Sequence, residues 1–360
     1  MRPSYRSVII GTGSHIPAAA VRNDSFLDRE FLDEQGHVFD KPNREVVALF
    51  QKITGIAERR YADPGQAASD IAHLAARDAL QSARVDGETL DYLILAHNFG
   101  DARPGRAGAD LVPSLASRVK RLLGIKNPGT VAYDVIFGCP GWLQAIIQAD
   151  YYLRSGDAKR ALVVGVDTLS RVSDPHDRDS MIYADGAGAT VLEAIESEQE
   201  VGVLAHVTRT DAVDHAGLLH MGQSNKLGDG NGRTYLKMDG RAVYEYALDV
   251  VPRVVKACLE KAGLTLADIH KFLLHQANAK MDEAILKRVG RLYGVGNPAA
   301  SLMPMTISWL GNSSVATVPT LLDLLVKNRL AEHRWQSGGA YVFASVGAGM
   351  NANALAYRSP

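Results

Sequence analysis

VAYDVIFGCPGWLQAIIQADYYLRSG, residues 131–156, decides how this chain is read, because it runs a strand into a helix with a single cysteine at the corner. Val131, Tyr133, Val135, Ile136 and Phe137 are the β-branched and aromatic residues that favour strands. Leu143, Ile146, Ile147, Ala149, Tyr151 and Leu153 then recur at roughly helical spacing until Gly156. Gly138, Pro140 and Gly141 suit a tight turn, with the proline in the first helical turn, where its missing N–H costs nothing. A thiol there meets the free N–H groups and dipole of a helix N-terminus, which favour a thiolate nucleophile. A lone cysteine is also a small core hydrophobe, and the corner by itself leaves Cys139 open to both roles. Cys258, inside VVKACLEKAG with no corner around it, reads as core.

With 360 residues, 46% hydrophobic and 22% charged, the chain can bury a large core as one domain or two. Lys plus Arg number 39 against 40 for Asp plus Glu, so no net basic field points to nucleic acid. Two cysteines argue against a disulfide framework and fit a reducing compartment. No apolar run is long enough to span a bilayer and residues 1–10 lack a secretory core, so a cytoplasmic protein is expected. His176, His215 and His220 have no zinc-type spacing.

Outward from the corner, strand and helix patterns alternate, the mark of parallel α/β sheets. SVIIGTGSHI (7–16) reads as a first strand whose GTG lacks the third glycine of a dinucleotide turn. Residues 23–65 are a polar excursion with a helix near 44–53. Helices follow from Ala68 and over 114–123, with a strand over 90–97 between them. KRALVVGVDT and GATVLEA are buried strands. Charged ESEQE (196–200) divides the chain into expected halves 1–196 and 197–360. Beyond it come VGVLAHVTR, a Gly-rich excursion over 209–240 and a helix over 241–262. The loops 98–113 and 209–235 are expected to wall the pocket.

The halves repeat one pattern. ARDALQSARVDGETLDYLILAHN is echoed by VVKACLEKAGLTLADIHKFLLHQAN, so His97 and His275 end equivalent strands. FGCPGWLQAIIQADYYLRSGDAKRALVVGVD is echoed by LGNSSVATVPTLLDLLVKNRLAEHRWQSGGAYVFASVG, so Cys139 and Asn312 occupy equivalent corners. Functional groups of such sheets gather at the carboxyl ends of the strands. Periodicity does not choose between His97 and His275, and Asn312 taken alone reads as a helix N-cap before anything else.

These residues, together with TGIAERR, DPHDR followed by YADGAGA, YLKMDGRAVYEYA, HQAN, LGNSSVATVP and SVGAGMNANAL, resemble the 3-oxoacyl-acyl-carrier-protein synthases III over nearly the whole chain. The resemblance implies a thiolase-like five-layered αβαβα fold built from two duplicated halves, and a homodimer without cofactor or metal. It makes Cys139 the acyl-accepting nucleophile, and His275 and Asn312 the pair that supports decarboxylation of a malonyl thioester. The backbone N–H groups of Cys139 and Ala348 become the oxyanion hole. It implies an acyl-CoA or acyl-carrier primer and malonyl on an acyl carrier protein as partners. Arg178 matches a coenzyme A-site arginine. Lys280, Lys287 and Arg288 form a basic face that suits an acidic carrier or is simply solvated. Departures concern the substrate. Leu49 and Ile53 stand where the family stacks adenine, Glu245 replaces a docking lysine, and FGCPGW is bulkier than usual around the nucleophile. The alternatives are a ketosynthase joining an acyl group to a 3-oxoacyl thioester, of the dialkylresorcinol type, and a non-catalytic partner subunit.

Overall fold

The computed structural model describes residues 5–106, 108–228 and 232–360. In the first half, β1 (Tyr5–His15), β2 (Tyr92–Ala96), β3 (Val131–Val135), β4 (Arg160–Thr168) and β5 (Asp185–Glu196) form one sheet in the order β1-β5-β4-β2-β3. Strands β2, β3 and β4 run parallel; β5 is antiparallel to β1 and β4. In the second half, β6 (Gly202–Thr210), β7 (Ile269–Leu274), β8 (Ala340–Gly347) and β9 (Asn351–Arg358) repeat the arrangement in the order β6-β9-β8-β7. Here β7 and β8 are parallel, and β9 is antiparallel to β8 and β6.

The helices are α1 (Asn43–Thr54), α2 (Ala68–Ala83), α3 (Leu115–Leu122), α4 (Gly141–Ser155), α5 (Gly240–Lys261), α6 (Ala279–Leu292) and α7 (Thr317–Val326). The period-two alternation of the strands assigns them to layers. Val163 of β4 and Tyr341 and Phe343 of β8 face inward onto Leu143 and Ile147 of α4 and Leu322 of α7. Leu162 and Val164 face outward onto α2 and α3, while Val342 and Ala344 face outward onto α5 and α6. The result is helices, sheet, central helix pair, sheet, helices. Strands buried on both faces explain why these segments are apolar without interruption. Trp142 is fully buried with its ring 6.2 Å from Phe343, which pins α4 between the sheets; Trp142→Ala would cost about 3–5 kcal/mol.

Three expectations shift. Strand β3 stops at Val135 rather than Phe137, because its ladder partner ends at Ala96, and Ile136 is 63% exposed. The loop 98–113 closes on a small hairpin, Asp101–Ala102 with Ala109–Asp110. The 209–240 excursion holds another, Leu219–Gly222 with Tyr235–Met238. Residue 107 and residues 229–231 of these loops lie outside the described residues. The 23–65 excursion packs back through Arg59, whose side chain is fully buried. It donates to the carbonyls of Met181 and Val21 and to Asn23 Oδ1, with Phe26 4.8 Å beneath it. Burial pushes the guanidinium pKa down to about 10, while three acceptors replace the water it has lost.

Candidate active site

Both corners, the end of β7, the loop after β2 and the excursion open on one cavity of about 1250 Å³. Gly138 (φ 64°) turns the chain after β3, and a Cβ there would lie 2.6 Å from Ala348 N. A Cβ on Gly347 would lie 2.5 Å from Cys139 N and 3.0 Å from its sulfur. Only glycines allow the 347–349 turn to press against the nucleophile corner. Cys139 thus sits on the cavity wall beside α4. Burial pushes its thiol up to about 12; the charge of Asp167 adds to this, while Ser314 and the Cys139 backbone N–H oppose it. Burial thus favours the neutral thiol, while the helix terminus favours the thiolate.

His275 follows β7 directly. Its Nδ1 lies 2.6 Å from Thr317 Oγ1, and Thr317 Oγ1 lies 2.9 Å from the Ser314 carbonyl. Nε2 has no hydrogen-bond partner among the described residues. Burial pushes the imidazole down to about 4, so it is neutral near pH 7. Thr317 has one proton to give. If it goes to Ser314, Nδ1 of His275 must be the donor and Nε2 keeps a lone pair. If it turns to Nδ1, Nε2 carries the N–H. Asn312 follows Gly311 (φ 71°), whose Cβ would strike Arg59. Its Oδ1 accepts the Ser314 N–H at 2.8 Å, which fixes the amide and leaves Nδ2 to donate. Asn312 is therefore held by a local turn bond, not as the N-cap of α7, and presents a side-chain donor.

His97 resolves the choice that periodicity left open. Its Nδ1 accepts the Gly100 N–H at 3.1 Å and its Nε2 lies 3.1 Å from Asp134 Oδ2. Both nitrogens are spent on the fold, and the adjoining Asn98 is the one that lines the cavity.

Two family models match the chain. One is described as 3-oxoacyl-[acyl-carrier-protein (ACP)] synthase III and covers residues 133–212. The other, the C-terminal part of the same family, covers residues 259–359, and together they span half the chain. The chain belongs to the 3-oxoacyl-[acyl-carrier-protein] synthase III family. Solved structures of this family agree along its length. The enzyme from Pseudomonas aeruginosa PAO1 is 28% identical over 99% of this chain and 98% of its own, with a TM-score of 0.79. The priming β-ketosynthase of the R1128 polyketide pathway is 28% identical over 100% of this chain and 98% of its own, with a TM-score of 0.82. Xanthomonas campestris OleA, at 20% identity over 99% and 98% with a TM-score of 0.79, shares the fold. The chain is thus an acyltransferase of the condensing type with the thiolase-like fold.

Cys139, His275, Asn312, Ala348, Arg178 and Lys280 all line the cavity. Arg178 lies over the Phe39 ring at 5.3 Å. Lys287 and Arg288 lie further along α6, exposed and away from the cavity. Glu245 pairs with Arg241 at 3.0 Å. Leu49 and Ile53, which the resemblance put where the family stacks adenine, stand half-exposed on the wall with Val46 and Phe50, so the excursion supplies a whole apolar side whose extent the sequence did not reveal. From the loop 98–113, only Asn98 and Phe99 reach the cavity among the described residues. Ser314 and Thr317 also went unread. They lie in SSVAT directly after Asn312, but adjacency does not reveal which hydroxyls turn inward.

Proposed function

We propose that this chain carries out a two-stage, metal-free condensation. A thioester primer acylates Cys139: the sulfur–acyl bond forms, the primer thiol leaves, and the thiol proton of Cys139 goes to that leaving group. A malonyl thioester on an acyl carrier protein then binds and loses CO₂. The enolate oxygen is held by Asn312 Nδ2 and by the Nε2–H form of His275, each donor contributing about 10²–10³ in comparable sites. The enolate carbon attacks the acyl carbon, the oxyanion rests on the N–H groups of Cys139 and Ala348, and Cys139 leaves with its bonding pair. The observation that carries this reading is the meeting of Cys139, His275 and Asn312 on one cavity closed by the Gly347–Gly349 turn.

Arg178 at the mouth would take the phosphate end of coenzyme A or of a carrier's pantetheine arm. Lys280, Lys287 and Arg288 would receive an acidic carrier. Residues 1–196 and 197–360 form the two duplicated halves of a cytoplasmic homodimer, and β3, an edge strand, is the natural seam. No helix among the described residues is long and apolar enough to cross a membrane.

One observation favours a second reading, the joining of an acyl group to a 3-oxoacyl thioester. The cavity exceeds the roughly 300–1,000 Å³ of ordinary ligand pockets, and its wall includes Leu49, Ile53, Met221 and Tyr244, far more apolar surface than malonyl needs. The deciding experiment is intact-protein mass after exposure to acyl-CoAs and acyl carriers, followed by product analysis with malonyl and 3-oxoacyl donors. Wild type should gain one acyl group and Cys139→Ala none. Equal labelling of the two would overturn the mechanism, and labelling of neither by any donor would point to a partner subunit.

A further inference from the structure

Ser314 has an unusual backbone for a residue with a side chain, φ 54°, in the left-handed region that costs a non-glycine residue energy. Its main-chain groups account for part of that cost: the N–H fixes Asn312 at 2.8 Å, and the carbonyl lies 2.9 Å from the Thr317 hydroxyl beside His275. Its side chain does something separate. Ser314 Oγ lies 3.4 Å from Cys139 Sγ.

The direction of that contact follows from what lies behind it. Asp167, buried on β4, accepts the backbone N–H of Asn98 at 2.9 Å and the Asn98 side-chain amide at 2.8 Å. A carboxylate accepts, so the NH₂ end of the Asn98 side chain must face it. The same nitrogen also lies 3.1 Å from Ser314 Oγ. Ser314 is therefore an acceptor toward Asn98, and its own proton is free for its other neighbours. With Asn98 donating to its oxygen, that proton can point to Cys139 Sγ. Once the sulfur is anionic, Sγ becomes a strong acceptor at contact distance.

We propose that Ser314 is a further catalytic residue, whose hydroxyl donates to the Cys139 thiolate, and that Asn98, clamped by Asp167, is the positioning residue that aims it. The inference rests on Cys139 being the nucleophile. It adds to the Cys139 backbone N–H a side-chain donor that offsets the loss of water around the sulfur. Asp167 on β4, Tyr183 before β5 and His275 after β7 are the other titratable groups around the cysteine. Asp167 carries the charge that opposes the thiolate, and His275 is neutral.

The test is the pH profile of Cys139 alkylation by iodoacetamide, read by intact mass and needing no substrate. Ser314→Ala and Ser314→Gly both remove the hydroxyl, and the glycine variant also removes the strained side chain, so at least one keeps the fold. Both should slow alkylation at pH 8 about tenfold or more. Asn98→Ala should slow it by less. Profiles that superimpose on wild type, or that move to lower pH, would overturn the proposal. A wild type not alkylated at Cys139 would instead overturn the nucleophile reading on which it rests.

Discussion

His97 and His275 end equivalent strands of equivalent sheets, one residue past β2 and one past β7, yet one is cross-bracing and the other lines the cavity. His97 is nearly fully buried. Its two ring nitrogens join Gly100 of the following loop to Asp134 of β3, and Asp134 in turn accepts the N–H groups of Leu115 and Ala116 at the start of α3. His275 is just as buried, but only Nδ1 is engaged, by Thr317, while Nε2 is left toward the cavity. Strand ends of this fold deliver a histidine to the right depth. The hydrogen bonds waiting there decide whether both ring nitrogens are spent on the fold or one is left toward the cavity.

The sharpest way to break that contrast is to truncate both. His275→Ala should cut decarboxylation of a malonyl donor by about 10²–10³ while Cys139 still takes up an acyl group. His97→Ala should leave both half-reactions near wild type and lower stability by about 1–3 kcal/mol, because it strands the Gly100 N–H and weakens the brace on Asp134. Steady decarboxylation assays beside thermal melts separate the two. Loss of decarboxylation in His97→Ala without a shift in melting would erase the distinction.

A smaller effect concerns acid. The imidazole of His275 is held at about 4 in the folded state, against about 6.5 in an unfolded chain. As pH falls, the unfolded chain takes the proton first. The stability that neutral His275 allows is complete above about 6.5 and is lost progressively as pH falls toward 4, amounting to at most about 3 kcal/mol. His275→Gln should flatten this part of the stability profile. Urea midpoints at pH 7 and pH 4.5 check it: the variant should lose less than wild type over that interval. An equal loss would mean that the imidazole is not buried neutral.

What could be read from the chain, and what could not, follows the same line. The corner at Cys139, the repeat and the placement of Asn312 were legible because strand, turn and helix patterns are local and periodic. Two parts were not. Hydroxyl direction at Ser314 and Thr317 depends on a left-handed backbone angle and on Asp167, some 150 residues earlier in the chain. The full extent of the α1 wall was the other part, because helical periodicity marks Val46 and Phe50 as buried without saying that they, with Leu49 and Ile53, line the cavity.

The finest prediction isolates the one hydrogen bond that separates the two histidines. Thr317→Val keeps the shape and removes Oγ1, leaving Nδ1 without its partner. The variant then loses the means to stabilise the Nε2–H tautomer, the form that donates to the enolate oxygen. Decarboxylation should fall about tenfold, the value of one ordinary buried hydrogen bond, with acylation of Cys139 little changed. Thr317→Ser should restore most of the rate, since the hydroxyl can again reach both the Ser314 carbonyl and Nδ1. Nitrogen NMR of the imidazole would show the shift in tautomer directly. If Thr317→Val decarboxylates like wild type, Nδ1 is not what orients His275, and its difference from His97 must lie in access to the cavity alone.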